Sequence, residues 1–340
     1  MRIVHAVCTD AFAGVERLTA RLAAAQQDAG HEVVVVGGHP ASMRRELGEG
    51  GARHVAADSV AAVARALDRL VGADVINVHM TAAEVAAAFA VRVRSVPVVS
   101  TRHFAGTRGS SSRPARWLTA ATARHIRAQI AVSSYVAGHV EGSSTVVHTG
   151  VPRQAEGRGA GAREPRVLVA QRLEAEKATD VAIRAFAASG LARHGWRLQV
   201  AGSGALRPSL ERLAADCEVG EAVDFLGHRS DVDALMEQAA VVVAPCDREA
   251  LGLTVVEAMA HGLPVVASAA GGHLETVGAT PGAALFPAGD HVAAGSILRD
   301  LALDEGRREA YGRALREVQR ALFTIDTQVV GTDAVYRSVM

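Results

Sequence analysis

The stretch Asp247-Arg248-Glu249-Ala250-Leu251-Gly252-Leu253-Thr254-Val255-Val256-Glu257-Ala258-Met259-Ala260 follows an apolar run over residues 240–244. That run reads as a buried parallel strand. Pro245-Cys246-Asp247-Arg248 suits neither strand nor helix, so the chain turns there. From Leu253 the pattern is helical, and Gly262 and Pro264 end it. Glu249 therefore sits on the loop at the strand's C-terminal end, and Glu257 in the early turns of the helix. Gly252 lets backbone N–H groups approach a ligand, and a helix N-terminus attracts anions. An acidic residue early in a helix can simply complement the helix dipole. The neighbours Val255, Val256, Ala258 and Met259, however, predict a buried face for Glu257. A buried carboxylate needs hydrogen-bond donors, and the hydroxyls of a sugar or ribose are suitable ones.

The same strand–loop–helix grammar extends outward in both directions. In the first half, strands are expected over residues 3–8, 32–37, 75–79, 96–101, 129–133 and 145–148, with helical segments such as 15–29 and 60–70 between them. The second half repeats the scheme at 166–170, 198–201, 223–226, 241–244, 265–268 and 284–286. Alternating β and α units argue for an α/β chain with parallel sheets covered by helices on both faces. Residues 152–164 are polar, Gly-rich and aperiodic, which reads as a linker with a hinge near 157–161. The expected organisation is an N-terminal Rossmann-like domain (1–151), the linker (152–164), a C-terminal Rossmann-like domain (165–320) and a closing helical segment (321–340). Two doubly wound domains of this kind face each other across a cleft, with ligand outside the carboxyl ends of the strands.

At 340 residues the chain is long enough for two domains with separate cores. Its 49% hydrophobic and 21% charged residues give a soluble globular profile, and a formal net charge of +0 argues against nucleic-acid binding through bulk charge. No apolar run approaches the ~20 residues of a membrane span. Asp10 interrupts the first apolar run too early for a signal peptide. Cys8, Cys217 and Cys246 are far apart and lack metal-site spacing, so a cytoplasmic, reducing setting is the simplest expectation. One compositional feature is sharper. Among 36 basic residues Lys177 is the only lysine, which is either chance or the mark of a site where a compact ammonium is needed and a guanidinium does not fit.

Glu249-Ala-Leu-Gly-Leu-Thr-Val-Val-Glu257, continued by Ala-Met-Ala-His-Gly-Leu-Pro-Val-Val-Ala, resembles the Glu-x7-Glu signature of retaining glycosyltransferases of the GT-B fold, family 4. The resemblance implies that Glu249 faces the donor sugar and Glu257 holds the nucleotide ribose. It also implies that the Gly252-Leu253-Thr254 backbone meets the donor's phosphates.

Other segments fall into place beside that signature. Gly14 opens a helix after the first strand, where phosphate or sugar can come close; the family's glycine pair stands here as Ala13-Gly14. His103 ends a strand, a position that faces the cleft in such sheets, and the resemblance puts a histidine here close to the transferring sugar. Residues 106–116, with Arg108, Arg113 and Arg116, form a basic loop, either solvated or acceptor-binding. The segment Gln171 to Asp180 resembles the family's Gly-Arg-Leu…Lys-Gly, which implies that Arg172 and Lys177 bind the donor diphosphate. Gln171 and Ala178 replace its two glycines. Gly202-Ser203-Gly204 is an incomplete dinucleotide fingerprint, because Arg207 stands where a third Gly or Ala is wanted. Gly227 and His228 are implied to border the base. Asp231-Val232-Asp233 looks like a metal motif of another fold but reads as a helix N-cap at Ser230 or Asp231, and no metal is expected.

The expected activity is transfer of a sugar from a nucleotide diphosphate donor, a UDP-sugar ahead of a GDP-sugar, to an acceptor hydroxyl of a small molecule, lipid or glycan. The nucleotide-sugar is a substrate, and no cofactor is implied. Front-face attack with retention is what the resemblance implies, with Glu249 positioning the sugar and stabilising positive charge. Rival readings are a sugar-nucleotide epimerase of the same architecture, a non-catalytic sugar-nucleotide binder, and, disfavoured by the broken glycine pattern, a nicotinamide dehydrogenase.

Overall fold

Valine-rich runs become the central strands of two parallel sheets. A computed structural model describes the chain except for residues 49, 109–118, 120 and 155–161. The chain divides into two compact units, Met1–Gly150 with Ile325–Met340, and Val151–Thr324. The proposed hinge at 157–161 and most of the basic loop at 106–116, including Arg113 and Arg116, lie outside the described residues.

In the first unit the strands are β1 (Arg2–Ala6), β2 (Glu32–Val36), β3 (Arg53–Val55), β4 (Val75–His79), β5 (Val98–Arg102), β6 (Ile126–Ala131) and β7 (Thr145–Val146). They lie in the order β3-β2-β1-β4-β5-β6-β7, and every pairing is parallel. Val33, Val34, Val35 and Val36 are all buried, as a strand covered on both faces requires. β3 is absent from the expectation because three residues, Arg53-His54-Val55, carry no readable period. The helix Gly14–Asp28 packs beside β2, and Ser59 caps the helix Val60–Leu67 by accepting from the Ala62 N–H at 3.4 Å.

The helix Ile325–Arg337 belongs to this first unit. Its Val329, Val335 and Tyr336 are buried, and the Tyr336 hydroxyl accepts from Asn77 Nδ2 at 2.7 Å. Asn77 Oδ1 in turn accepts from Thr101 Oγ1 at 2.9 Å. The helix thus covers a sheet face whose polar groups are paired rather than exposed.

The second unit contains β8 (Arg166–Ala170), β9 (Arg197–Ala201), β10 (Val223–Gly227), β11 (Val241–Ala244), β12 (Val265–Ser268) and β13 (Leu285–Phe286). Their order is β10-β9-β8-β11-β12-β13, again with parallel pairings throughout. Leu168, Val241, Val242, Val265 and Val266 form the centre of its core. The far end of the expected linker is anchored here. The Arg163 guanidinium donates to the carbonyls of Met236, Ala239 and His261 at 2.6, 2.9 and 2.8 Å. Aperiodic composition indicated a loose segment, but it could not reveal that one arginine would bind three carbonyls.

Both strand orders reverse direction at one point, between β1 and β4 in the first unit and between β8 and β11 in the second. Loops leaving the carboxyl ends of strands at such a point diverge and leave room for a ligand.

Candidate functional site

In the second unit, the loops after β8 and β11 carry the two residues that meet. Lys177 Nζ donates to Glu249 Oε2 at 2.6 Å, with the two side chains 18% and 21% exposed. Burial pushes the Glu249 carboxyl up, but the charge and hydrogen bond of Lys177, aided by His273 and Cys246, outweigh it. The carboxyl is held below its usual range, so Glu249 is an anion. The Cys246 thiol donates to the Glu176 carbonyl at 3.1 Å and ties the two loops together. Burial, then the charge of Glu249, push that thiol up to about 11, which keeps it unreactive.

The two departures from the family's glycines are visible in this loop. Gln171 Nε2 donates to the Lys177 carbonyl at 2.8 Å and to Thr179 Oγ1 at 3.0 Å, so its side chain braces the turn. Ala178 adopts φ 50 and ψ 39, the left-handed conformation in which glycine is at ease. The loop therefore keeps a shape suited to glycine while carrying a methyl group. Gly202 and Gly204 are required by packing: a Cβ would lie 1.8 Å from the Gln171 oxygen at one and 2.3 Å from the Leu173 oxygen at the other. These glycines let the loop after β9 support the Arg172 segment from below.

The helix Leu253–Ala260 begins where expected, with Gly252 at φ 89 and ψ 68. The first N–H groups of this helix, from Leu253 and Thr254, have no acceptor within the helix. Glu257 is half-buried rather than buried, because Leu253, Thr254 and Glu257 share the less covered side of the helix. The expectation of full burial is corrected to that extent.

Arg172 does not join Lys177. Its guanidinium, 66% exposed, donates to Glu176 at 2.9 Å, an i,i+4 surface pair. The expectation that both cations converge is therefore not met in this structure, although such an exposed pair costs little to open. Gly227 has φ 69, its carbonyl accepts from the Gly202 N–H at 2.7 Å, and His228 beyond it is exposed. Asp231 stands at the N-cap of the helix Val232–Gln238 but makes no capping bond; it binds Arg229 at 2.8 and 2.5 Å instead. Asp233 meets His261 at 3.2 Å, so the two carboxylates serve different partners. Among the described residues, no group of three or more His, Cys, Asp or Glu side chains could hold a metal ion.

In the first unit His103 follows β5 directly and its Nε2 lies 3.0 Å from His79 Nδ1. Burial lowers its pKa to about 4, so the ring is neutral. Gly14 is the first residue of its helix and is exposed, and a Cβ there would meet nothing within 4 Å. The Glu16 carboxylate folds back to accept from the Ala13 N–H at 2.8 Å, which fixes the turn.

Two family profiles match the chain, one described as "Glycosyl transferases group 1" over residues 152–318, the other as "Glycosyltransferase Family 4" over residues 12–154. The chain belongs to glycosyltransferase family 4.

Relatives of this family 4 chain include the D-inositol 3-phosphate glycosyltransferase of Streptomyces avermitilis, 32% identical over 222 residues, covering 58% of this chain and 47% of that protein. A GDP-mannose-dependent monoacylated alpha-(1-6)-phosphatidylinositol monomannoside mannosyltransferase of Corynebacterium glutamicum is 35% identical over 162 residues, 45% of this chain and 42% of that one. The chain spans less than half the length of these curated relatives. Among solved structures, Anabaena Alr3699/HepE in complex with UDP and glucose superposes with a TM-score of 0.82 at 18% identity, covering 99% of this chain and 100% of that one. The fold of the family 4 chain is GT-B.

One residue of the site was missed by sequence reasoning. His273 lies on Gly271-Gly272-His273 after β12, and a Cβ on Gly252 would sit 3.2 Å from its Cδ2. Burial lowers its pKa, opposed by the nearby Glu249 charge and the backbone at Ser268. Gly271 and Gly272 admit it, since a Cβ at either would run into the backbone of residues 249–251 at 2.5–2.6 Å. The available signal was two adjacent glycines at a third strand end of the same sheet.

Proposed function

We propose that this family 4 chain transfers a sugar from a nucleoside diphosphate-sugar, a UDP-sugar in the first instance, to an acceptor hydroxyl with retention of configuration and without a metal. The observation that carries the reading is the Lys177–Glu249 pair at the β8/β11 switch point, beside the helix start at Gly252. A diphosphate there has one ammonium and the N–H groups of Leu253 and Thr254 as partners, with Arg172 free to leave Glu176 for it. Glu257, one turn into the helix, takes the ribose hydroxyls. Gly227 and His228 border the base.

The chemistry follows from those charges. As the glycosyl–phosphate bond breaks, negative charge grows on the leaving phosphate and positive charge on the sugar carbon. Lys177 and the helix start stabilise the first, and the anionic Glu249 the second. The acceptor hydroxyl attacks from the same face and passes its proton to the leaving phosphate. The relatives' names support two donor bases. The Corynebacterium glutamicum enzyme is named for GDP-mannose, and the Anabaena protein was solved with UDP.

The test is a panel of UDP- and GDP-sugars incubated with chelator, first alone and then with small-molecule, lipid and glycan acceptors. Transfer only when acceptor is present is the expected result. A changed sugar without acceptor identifies an epimerase, and no turnover with any combination, with chelator or with added Mg²⁺, identifies a binder; either defeats the reading. Loss of transfer in EDTA, restored by Mg²⁺, defeats metal independence alone.

A further inference from the structure

The first unit contains a polar chain that the reading above leaves unused. His5 in β1, His79 ending β4 and His103 beyond β5 stand in a row across three adjacent strands. His5 Nδ1 lies 3.0 Å from His79 Nε2, and His79 Nδ1 lies 3.0 Å from His103 Nε2. On the other side His5 Nε2 meets Gln26 Oε1 at 2.7 Å, and Gln26 Nε2 meets Asp333 Oδ1 at 3.2 Å. The other oxygen of Asp333 is taken by His31 Nε2 at 2.6 Å. His5, Gln26, His79 and Asp333 are all buried.

This chain has only one consistent direction. A carboxylate accepts and does not donate, so Gln26 turns its NH₂ to Asp333 and its oxygen to His5. His5 must then donate from Nε2, which leaves a lone pair at Nδ1. His79 donates into that lone pair from Nε2 and keeps its own at Nδ1. His103 donates in turn from Nε2. What remains at the end is the bare Nδ1 of His103, which is shielded from solvent and has no hydrogen-bond partner. Gln26 matters as an amide: it conveys direction from Asp333 without bringing a full charge against His5, which would favour an imidazolium and break the sequence of bonds. Burial also keeps the three rings neutral. His79 and His103 line a narrow cavity within this unit, together with Thr19, Thr101, Gln328 and Thr332.

We propose that Asp333, Gln26, His5 and His79 act as positioning residues that fix His103 in its Nε2–H tautomer, so that Nδ1 is kept as the acceptor for a substrate hydroxyl. The hydroxyl partner rests on the glycosyl-transfer reading above, whereas the tautomer does not.

The two parts are tested separately. Selective ¹⁵N-histidine labelling and long-range ¹H–¹⁵N NMR of the intact protein without substrate reports which nitrogen of His103 carries the proton. Nε2–H is expected in the wild type. His79→Gln keeps one donor and one acceptor in the row and is expected to preserve that tautomer. His79→Phe removes both, and His103 is expected to become a mixture. With donor and acceptor, His79→Phe should lower kcat roughly 10-fold, the scale of one hydrogen bond, while the Kd for nucleoside diphosphate stays unchanged and His79→Gln recovers most of the loss. Nδ1–H at His103 in the wild type overturns the proposal, and so does an unchanged tautomer in folded His79→Phe. Should His79→Phe fail to fold, the wild-type and His79→Gln spectra still decide the tautomer. If no sugar-nucleotide is turned over while the tautomer is as expected, the glycosyl-transfer reading fails and the positioning chain stands.

Discussion

Acid should loosen the first unit through His5, and the size of the effect can be worked out. His5 titrates at about 4 instead of 6.5 because burial disfavours the imidazolium, and Gln26 and Asp333 offset this only in part. The native ring therefore stays neutral while the unfolded chain takes up a proton. The stability due to that difference is intact above about pH 6.5 and is lost as pH falls toward about 4. Lowering the pH from about 7 to about 5 should cost about 2 kcal/mol from His5 alone. His103 shifts in the same direction and adds to the loss. Urea unfolding with pulsed hydrogen exchange and mass spectrometry of the peptide over β1 reads this unit separately from the other. His5→Phe supplies the control, since it removes the proton uptake. Wild type should lose about 2 kcal/mol more than the variant over that interval. Equal pH dependence in the two proteins would falsify the account of a neutral buried row.

Three further outcomes follow from the second unit. Glu249→Gln should lower turnover on the order of 10²-fold and spare nucleoside diphosphate binding, whereas Glu257→Ala should weaken that binding; calorimetry showing equal damage from both refutes the division of roles. Lys177→Ala should weaken donor binding by about 1.5–3 kcal/mol, and nucleoside diphosphate should protect Lys177 from reductive methylation; full activity in protein acetylated at Lys177, checked by mass spectrometry, rules out a phosphate contact. Ala178→Gly should raise stability by about 0.5–1 kcal/mol, because the left-handed conformation costs alanine more than the extra chain entropy costs glycine; a lower Tm contradicts the strain assigned there.

The alternation of valine runs and helical segments made the parallel sheets legible, because buried strands and amphipathic helices leave different periods. The order of those strands came only with the structure. So did β3, which is too short to show a period. Lys177 and Glu249 were legible as a site through composition and motif, but their direct ion pair was not, since 72 residues of chain separate them. Arg172 shows the converse. It lies on the same loop as Lys177, yet an acidic neighbour four residues on holds its side chain elsewhere. The row His5, His79 and His103 was beyond reach because the histidines lie on or just beyond three different strands, and only the register His5↔Asn77 and His79↔Thr101 brings them side by side.

The helix Ile325–Arg337 sets an order of events during synthesis. It leaves the ribosome after all of Val151–Thr324, yet it supplies Asp333 and Tyr336 to the first unit. Until then the β1 and β4 face bearing His5 and Asn77 lacks its covering helix, while the second unit has its whole chain in hand. The unit translated first is thus finished last, and a nascent chain halted before residue 325 holds an incomplete N-terminal unit of the kind that chaperones retain.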